Sequence, residues 1–523
     1  MSKPFGFKKI LGLMFLAGVC SSGSGEPALV YSQAQFDLSL VSLRELGDLG
    51  LAVDHTEGPG SKFITVPVSP FDRQLLAEKK IPHKILVDDM AKWYSGRILK
   101  SKLEDATKEE LEARQAAPTN FKLGTMGGYL TYAEINKDLD EMRKLFPTLV
   151  SAKIEIGKSL EGRSINVIRI SNNPDVDQVK PRVWYDGLIH SREPMGSMNL
   201  MYYAWHLLES YATDPSVKTL VDNLEIYISP CSNPDGYEYN RSTNPTGGGM
   251  WRKNRSTNAD GSRGVDPNRN FSVFWGNTVG ASAQGSSDAY FGTSAFSEPE
   301  TRAIRDFHLA KKFAIMLHYH TFQNKLIHPY GEGSYPTNRA EYEKIAKLLT
   351  AKTGWPFGPV PPMVGYSATG VTTDWAHDIN KEFAFGAELG STNDGFWPVQ
   401  NRITPLAAIA LDMNLALAKA VLPTSTPVAP NRKILPDFYA NVDAAGGSLS
   451  FHYQLTDTKN NWYLTVHDLQ GKQYQRYALT PAGKSVALPR SVSSGSLYLL
   501  EVKSCKGESC TSVYREKVTA GRL

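Results

Sequence analysis

The feature that most constrains the fold is a regular alternation of apolar strand-like runs and helix-like runs between about residues 120 and 423. The strand candidates are short and almost wholly apolar: AKIEIG, NVIRIS, RVWYDGLI, LEIYISP, KFAIMLHYH and KEFAFGAEL. The helix candidates are longer: YAEINKDLDEMRKLFP, GSMNLMYYAWHLLESYA, SEPETRAIRDFHLAKK, NRAEYEKIAKLLTAKT and LAAIALDMNLALAKAVL. Apolar strands that alternate with helices are typical of a sheet buried on both faces. The pattern predicts an α/β domain with a mixed, mostly buried sheet flanked by helices.

The segments on either side of this domain have a different character. Residues 26–95 combine alternating runs such as FITVPVS with helix-like stretches, which predicts a small α+β unit. A Pro-rich linker at 424–432 follows the α/β domain, which we place at 122–423. Residues 433–523 show only short alternating runs separated by Gly, Asn and Ser, which predicts a β-sandwich. A chain of 523 residues is long enough for two or three such domains.

Residues 96–121 form a charged connector with strong helix-forming residues. Thr107 and Glu110 have the spacing of a helix capping box, and Ser297 and Glu300 have the same spacing before a later helix candidate. An exposed connector that carries basic residues is easily cut by a trypsin-like protease. The basic residues concerned are Arg97, Lys100, Lys102, Lys108 and Arg114.

The first 25 residues have the features of an export signal. Lys3, Lys8 and Lys9 precede the apolar run ILGLMFLAGV, and the small residues SSGSG follow it. We therefore expect a secreted, periplasmic or otherwise extracellular protein, with lipid attachment at Cys20 as the alternative. No other segment is judged apolar enough to cross a membrane. A net charge of only +4 argues against a dedicated nucleic-acid binder.

The cysteines fit an oxidising compartment. Cys505 and Cys510 bracket KGES between two strand-like runs, which favours a small disulfide across a turn. Cys231 is then left over in the apolar stretch IYISPCS, and we expect a buried thiol without chemistry.

Candidate metal ligands follow two of the predicted strands. His190 and Glu193 lie in GLIHSREPMG, and a catalytic zinc site needs three protein ligands with one position left for water. This stretch taken alone fits an ordinary polar turn better than a metal site. FAIMLHYHTF offers His318 or His320 as a third ligand, because residues two apart in a strand share a face.

Polar residues in two further regions suit substrate binding. Arg252, Arg255 and Arg269 fall in one loop-rich stretch, where guanidinium groups can bind a carboxylate in a bidentate manner. Asn268 stands next to Arg269 in the tight turn VDPNRNF. Glu388 ends an apolar strand, where a carboxylate is costly to bury unless it has a role such as that of a general base.

These motifs together resemble the zinc metallocarboxypeptidases of the carboxypeptidase A and B type over roughly residues 122–423. The segments that carry the resemblance occur in the family's order: HSRE, NPDGY, MWRKNRS, DPNRNF, HTFQNKLIHPYG and the block from Tyr366 through Asp374 to Glu388. The resemblance implies one Zn²⁺ per catalytic domain, with His190 and Glu193 as ligands. The family places its third ligand nine residues before the proline of a PYG motif, which gives His320 and not His318.

The resemblance also implies the roles of the remaining site residues. Asp266 matches the carboxylate that orients the first histidine, and Arg252 matches the arginine that stabilises the oxyanion. Glu388 matches the glutamate that takes a proton from the attacking water and passes it to the leaving amine. The residues that match substrate contacts are Arg192, Asn268, Arg269 and Tyr366.

The position that is acidic in the basic-specific members of the family is Thr373 in this chain. With Ile327, Ala368 and Val371 nearby, the resemblance implies a neutral pocket that favours aliphatic or aromatic terminal residues. Phe322 replaces the family's usual aromatic residue, a mild change.

The α+β unit resembles the family's inhibitory pro-segments. The expected protein is therefore a monomeric zymogen that acts on peptide or protein C-termini after an activating protease has cut the connector, with the mature enzyme beginning between about residues 115 and 123. An N-terminal domain that stays attached is the alternative. Two rival functions remain: a zinc peptidase acting on cell-wall peptides, and an inactive binding module on the same fold.

Overall fold

The computed structural model describes residues 29–53, 61–100 and 106–422, and a set of strands between 438 and 519. The chain divides into two compact units, one ending at Leu422 and the other beginning at Pro423. The predicted export signal, the alternative lipid site at Cys20 and the predicted linker at 424–432 lie outside the described residues.

The N-terminal part is a small three-stranded antiparallel sheet with helices. Its strands, in the spatial order β2-β1-β3, are β1 (Ser32–Asp37), β2 (Phe63–Val68) and β3 (Lys84–Val87). Its helices are α1 (Leu43–Asp48), α2 (Pro70–Glu78) and α3 (Met90–Lys100), and α4 (Lys108–Gln115) follows. Alternate strand residues such as Ala34, Phe36, Ile64 and Val66 point inward and form a core of their own.

An eight-stranded mixed sheet forms the centre of the larger unit, in the order β10-β9-β11-β8-β6-β7-β5-β4. Its strands are β4 (Ile154–Lys158), β5 (Ser164–Ile170), β6 (Arg182–Asp186), β7 (Glu225–Ser229), β8 (Ile315–His320), β9 (Lys325–Ile327), β10 (Phe357–Gly358) and β11 (Phe383–Glu388). The middle strands β7 and β8 are buried along their whole length, which explains their continuous apolar sequences. The predicted fold class is confirmed.

Helices cover this sheet. They are α5 (Tyr132–Leu145), α6 (Met195–Ser210), α7 (Pro215–Asn223), α8 (Pro234–Thr243), α9 (Pro299–Lys311), α10 (Arg339–Leu349), α11 (Val360–Val364), α12 (Thr372–Asn380) and α13 (Gln400–Ala420). By length and mean hydropathy α13 is the one helix among the described residues that passes as a membrane span. The sequence prediction that no segment after the export signal is apolar enough to cross a membrane is therefore wrong by this criterion. The helix packs against α6 and α10, so its apolar residues are explained by packing within the domain.

The two predicted capping boxes have different outcomes. Thr107 accepts a hydrogen bond from the Glu110 backbone N–H, and the Glu110 carboxylate accepts one from the Thr107 N–H, as predicted. The box at Ser297 and Glu300 is wrong, because α9 starts one residue later, after Glu298. Glu300 turns inward, where its carboxylate accepts hydrogen bonds from the Leu160 N–H and the Asn254 side chain.

The second unit contains two antiparallel sheets. One has the order β12-β13-β16 and the other β15-β14-β17-β18. The strands are β12 (Phe438–Ala445), β13 (Ser448–Leu455), β14 (Asn461–His467), β15 (Gln473–Leu479), β16 (Ser485–Ala487), β17 (Leu497–Lys506) and β18 (Ser509–Thr519). Cys505 and Cys510 form the predicted disulfide between β17 and β18, and Cys231 is a buried free thiol, as expected.

Candidate active site

Three polar side chains meet at the carboxyl edge of the central sheet. His190 lies just beyond β6, Glu193 precedes α6, and His320 ends β8, which pairs in parallel with β6. The potential ligand atoms of these three buried residues all lie within 4.8 Å of one another. The Nδ1 atoms of the two histidines are 3.1 Å apart, and the Glu193 oxygens lie 3.0 Å from Nδ1 of His190 and 2.9 Å from Nδ1 of His320.

The electrostatics of this cluster suit a metal cation. Burial lowers the pKa of His320 to about 3, which keeps the ring neutral, the form that binds metal. Burial acts to raise the pKa of Glu193, but the neighbouring His190 and His320 rings outweigh it and bring the pKa well below its usual range. Two imidazoles and a carboxylate are a common ligand set for zinc in sites that keep a position open for water.

Asp266 connects the His190–Glu193–His320 cluster to Arg252. Its Oδ1 lies 3.2 Å from Nε2 of His190, the ring nitrogen on the far side from the other ligands. Its Oδ2 accepts hydrogen bonds of 3.0 and 2.9 Å from Nε and Nη2 of Arg252. Burial acts to raise the pKa of Asp266, but the Arg252 guanidinium and His190 outweigh it and lower that pKa. Asp266 is therefore an anion that fixes the His190 ring and holds Arg252 beside Glu193.

His318 lies next to the cluster but outside it. Its Nδ1 is 2.7 Å from Oδ2 of Asp186, the last residue of β6, and not near Glu193. The structure therefore groups His320 with His190 and Glu193, and gives His318 a different partner. The sequence interpretation missed Asp186, whose position at a strand end in VWYDGLI was the available signal.

Asn268 and Arg269 lie on a short 3-10 turn, Pro267–Arg269, which Asp266 caps through a 2.9 Å hydrogen bond from the Asn268 N–H. The Asn268 amide contacts Nε2 of His320 at 3.2 Å. Gly370 packs directly on this turn with a positive φ of 70°, and a Cβ there would stand 2.3 Å from the Arg269 carbonyl oxygen. The absence of a side chain at Gly370 thus allows the segment after α11 to close over Arg269.

One cavity collects most of the predicted site residues. Thr373, at the start of α12, and Tyr366, just after α11, both line it. Burial raises the pKa of the next residue in the chain, Asp374, to about 8, so this acid is neutral near pH 7. The other residues around the cavity are His190, Asn268, Arg269, His318, His320, Ile327, Val360, Ala368, Val371, Gly386 and Glu388.

Glu388 ends β11 in register with His320 of the neighbouring parallel strand β8. Its side chain is only 6% exposed and faces the same cavity as His190 and His320. A carboxylate in this position can exchange protons with a molecule bound between the metal cluster and Arg269.

Arg192 is not among the residues that line this cavity, and it is linked to the N-terminal domain through Asp288. Its Nη1 donates a 3.1 Å hydrogen bond to Oδ2 of Asp288, and its guanidinium carbon lies 4.6 Å from the centre of the Phe396 ring. Oδ1 of Asp288 accepts a 2.8 Å hydrogen bond from the hydroxyl of Tyr31 in the N-terminal domain. Within the described part of the chain, Nε and Nη2 of Arg192 are buried without a hydrogen-bond partner.

Comparison with known proteins identifies a family for this arrangement. A family model described as zinc carboxypeptidase matches residues 135–412, more than half of the chain. Carboxypeptidase A2 of Mus musculus is 32% identical over 344 residues, covering 64% of this chain and 77% of that protein. Carboxypeptidase A1 of Rattus norvegicus is 30% identical over 420 residues, covering 76% of this chain and 95% of that protein.

Solved structures show the same fold. The carboxypeptidase A from Helicoverpa armigera superposes with a TM-score of 0.60 and 27% identity, covering 75% of this chain and 97% of that one. Thrombin activatable fibrinolysis inhibitor superposes with a TM-score of 0.57 and 22% identity, which supports the fold alone.

Proposed function

The chain belongs to the zinc carboxypeptidase family and is a zinc metallocarboxypeptidase; from that premise we propose that it removes single neutral residues from peptide C-termini after activation of an exported zymogen. The observation that carries the proposal is the convergence of His190, His320, Asn268, Arg269 and Glu388 on one cavity. A peptidase specific for chain ends requires a metal-binding site next to a cationic group that binds the terminal carboxylate of the substrate.

Each of these groups has a step to perform. His190, Glu193 and His320 would hold the zinc, which would polarise the scissile carbonyl and activate water. Arg252, held by Asp266, stabilises the negative charge that develops on the carbonyl oxygen. Glu388 takes a proton from the attacking water and delivers it to the leaving amine.

The terminal carboxylate of the substrate binds at Asn268 and Arg269. Both residues line the cavity, and Arg269 is held in place by a 2.7 Å hydrogen bond from Nε to the Gly280 carbonyl. A guanidinium next to an amide donor matches the two oxygens of a carboxylate. Tyr366 closes over the bound end of the chain, since it lines the same cavity on a segment that follows α11.

The pocket for the terminal side chain is neutral. Thr373 stands where the basic-specific members of the family have an acidic residue. The next residue, Asp374, is not part of the cavity lining, and burial raises its pKa to about 8. Apolar groups of Ile327, Ala368 and Val371 make up the wall. A terminal Lys or Arg would lose its hydration without gaining an anionic partner, so neutral residues are preferred.

The test of this function is a panel of blocked dipeptides that end in Phe, Leu, Tyr, Gln, Lys or Glu, with the released amino acid measured after activation. We expect release of the neutral residues to exceed that of Lys and Glu. Efficient release of Lys would contradict the proposed pocket, and release of none would contradict the proposed exopeptidase.

We expect the Thr373→Asp variant to gain activity on terminal Lys. An aspartate in this enclosed cavity would face the ammonium group directly, so the ratio of kcat/KM for Lys to that for Phe rises by about tenfold to a hundredfold, the range that one well-placed contact supplies. The Thr373→Asn variant is the isosteric control and should leave the ratio within about twofold of wild type. An unchanged ratio in Thr373→Asp would place the specificity pocket elsewhere.

The contacts of the N-terminal domain support the zymogen proposal. Tyr31 bonds to Asp288, which holds Arg192 on the proposed substrate path. Leu43 of α1 lies so close to Gly365 that a Cβ built on Gly365 would be 2.9 Å from the Leu43 Cδ1 atom. The neighbouring Tyr366 packs against the core of the N-terminal domain. The domain thus contacts Tyr366 directly and Arg192 through Asp288, two residues that we propose the substrate needs.

We expect the intact protein to be at least about tenfold less active than the protein cut by trypsin, because binding of substrate must otherwise displace the N-terminal domain. Lys100 and Lys108 are exposed and suit an early cut, whereas Arg114 is half-buried. A Phe-ending substrate, with the Glu388→Gln variant treated in parallel, excludes a contribution from trypsin itself. Equal activity before and after the cut would mean that the N-terminal domain is not inhibitory.

Export and a monomeric state complete the proposal. Export rests on the Lys-rich start and apolar run of the first 25 residues, and the disulfide Cys505–Cys510 is compatible with an oxidising compartment. Export would be supported if the chain, cleaved after its export signal, is found in the culture medium after membranes are removed. The monomeric state would be supported if light scattering gives the mass of one chain.

A further inference from the structure

Two buried aspartates from different domains come together where the N-terminal domain meets the catalytic domain. Asp72 lies in the first turn of α2 and is 2% exposed, and Asp288 precedes α9 and is 4% exposed. Ser69 and Pro70, just before Asp72 in the sequence, line a cavity of about 460 Å³ between the two domains. The catalytic domain lines the same cavity with Lys253 and Asp288.

Asp288 has partners that suit a charged carboxylate. Its Oδ2 accepts a 3.1 Å hydrogen bond from Nη1 of Arg192, and its Oδ1 accepts a 2.8 Å hydrogen bond from the hydroxyl of Tyr31. A guanidinium keeps its proton at any ordinary pH and favours an ionised partner. The catalytic domain therefore contributes a negative charge to the contact between the domains.

Asp72 has no such partner. Its Oδ2 accepts a 2.8 Å hydrogen bond from the Ser69 N–H, which caps α2 within the N-terminal domain. Its Oδ1 is buried and has no hydrogen-bond partner among the described residues. The cation that acts on Asp72 from the catalytic domain is Lys253, whose Nζ donates hydrogen bonds of 2.7 and 2.8 Å to the carbonyls of Gly285 and Ser287. An ionised Asp72 would thus be a buried anion beside another anion, which is costly.

A bound proton removes this cost. Burial, and after it the charge of Asp288, raise the pKa of Asp72 to about 7, although the hydrogen bonds from Ser69 and the charge of Lys253 act in the opposite direction. Separation of the domains would take Asp288 away and return the pKa of Asp72 toward the value of about 4 that is usual for aspartate. The docked state therefore holds a proton that the separated state releases. Docking weakens as the pH rises from about 4 to about 7 and changes little above that range.

The other groups around Asp72 do not reverse this direction below about pH 7.5. Burial lowers the pKa of Lys253 to about 8, so its ammonium keeps most of its charge in this range. Burial and the charge of Asp288 raise the pKa of Tyr31 well above its usual value, so its hydroxyl stays neutral. The Arg192 guanidinium stays charged. Asp72 is therefore the group of this cluster that changes its charge between acidic and neutral pH.

We propose that the contact between Asp72 and Asp288 is a pH-sensitive control of zymogen release: the N-terminal domain binds the catalytic domain firmly at acidic pH and loosely at neutral pH. This inference deepens the zymogen proposal and rests on it for the consequence for activity. A chain whose connector is cut at acidic pH would keep the N-terminal domain bound. The same cut at neutral pH would free the catalytic domain.

The test measures how tightly the cut N-terminal domain binds the rest of the chain at two pH values. The whole protein is cut in the connector with trypsin, the trypsin is inhibited, and samples are brought to pH 5.5 or pH 7.5. Size-exclusion chromatography over a range of concentrations gives the Kd of the two fragments. We expect the Kd to rise by about twentyfold from pH 5.5 to pH 7.5, as follows from a pKa that moves from about 4 to about 7 on docking. A Kd that is unchanged, or that falls, would overturn the inference.

Variants assign the effect to Asp72. Asp72→Asn keeps the shape of the side chain and an oxygen for the Ser69 N–H but cannot ionise, so its Kd at the two pH values should agree within about threefold. Asp88→Asn removes an acid of the same domain whose side chain is 88% exposed, and should keep the twentyfold change of about the wild-type size. Asp288→Asn removes the facing charge and should reduce the change, which gives a second readout if Asp72→Asn folds poorly. A wild-type pH dependence in both Asp72→Asn and Asp288→Asn would show that another group controls docking.

The outcomes separate this inference from the proposed function, because the readout is binding and not activity. If the cut protein releases no C-terminal residue, the exopeptidase proposal fails. If the intact protein is as active as the cut protein, the zymogen proposal fails. In both cases a Kd that rises with pH in wild type and not in Asp72→Asn still supports the pH-sensitive contact. A Kd that is independent of pH overturns the contact and leaves both proposals standing.

Discussion

We expect the Glu388→Gln variant to release C-terminal residues about 10²- to 10⁴-fold more slowly than wild type, the range that a general acid–base group supplies. Gln has the same shape as Glu but cannot take a proton from the attacking water. Because Asn268 and Arg269, the proposed binding site of the terminal carboxylate, are unchanged, the loss should fall on kcat and leave KM within about threefold. The measurement is steady-state kinetics on a blocked dipeptide ending in Phe.

Two controls make this result specific. Zinc content should remain one per chain in Glu388→Gln, since the proposed ligands His190, Glu193 and His320 are unchanged. Glu341→Gln, an exposed change on α10, should retain wild-type rates. A Glu388→Gln enzyme with more than about a tenth of wild-type kcat would show that another group moves the proton.

Loss of a metal ligand is expected to have a still larger effect. In the His320→Ala variant only His190 and Glu193 remain, so zinc should fall well below one per chain after dialysis, as measured by elemental analysis. Activity should fall by more than about 10⁴-fold, because the polarising ion and its activated water are both lost.

Thermal unfolding gives a second readout for the ligand variant. A metal that binds only the folded state stabilises it, so a chelator should lower the Tm of wild type and leave that of His320→Ala unchanged. His206→Gln, a change at a histidine of α6 away from the site, should behave as wild type in both assays. Full zinc occupancy in His320→Ala would rule out His320 as a ligand.

The long elements of the fold could be predicted because their sequence patterns are local. Strands such as β8 can be predicted from a continuous apolar run, and helices such as α6 from the length of the apolar segment. The short helices α7, α8, α11 and α12 and the strands β9 and β10 were not predicted, since a few residues give too little periodicity to detect. The capping box at Ser297 was wrong because Glu300 finds tertiary partners, Leu160 and Asn254, that compete with the local bond.

The site shows the same division between local and tertiary information. His190 and Glu193 stand close in sequence, and the structure groups them with His320 because β6 and β8 are parallel neighbours. The partnership of His318 with Asp186 depends on the register of those strands, and the contact of Asp288 with Tyr31 depends on docking of the N-terminal domain. Both pairings join segments that are far apart in the sequence, so the strand-end position of Asp186 was a signal for the residue but not for its partner.

The most direct test of the account uses one peptide in two forms, with a free carboxylate or with an amide at its C-terminus, incubated with trypsin-activated protein and followed by mass spectrometry with and without a chelator. We predict stepwise loss of single residues from the free form only, abolished by the chelator and restored by added Zn²⁺. Cleavage of the amidated peptide at internal bonds, or cleavage that the chelator leaves unchanged, would contradict a zinc exopeptidase that recognises the chain end.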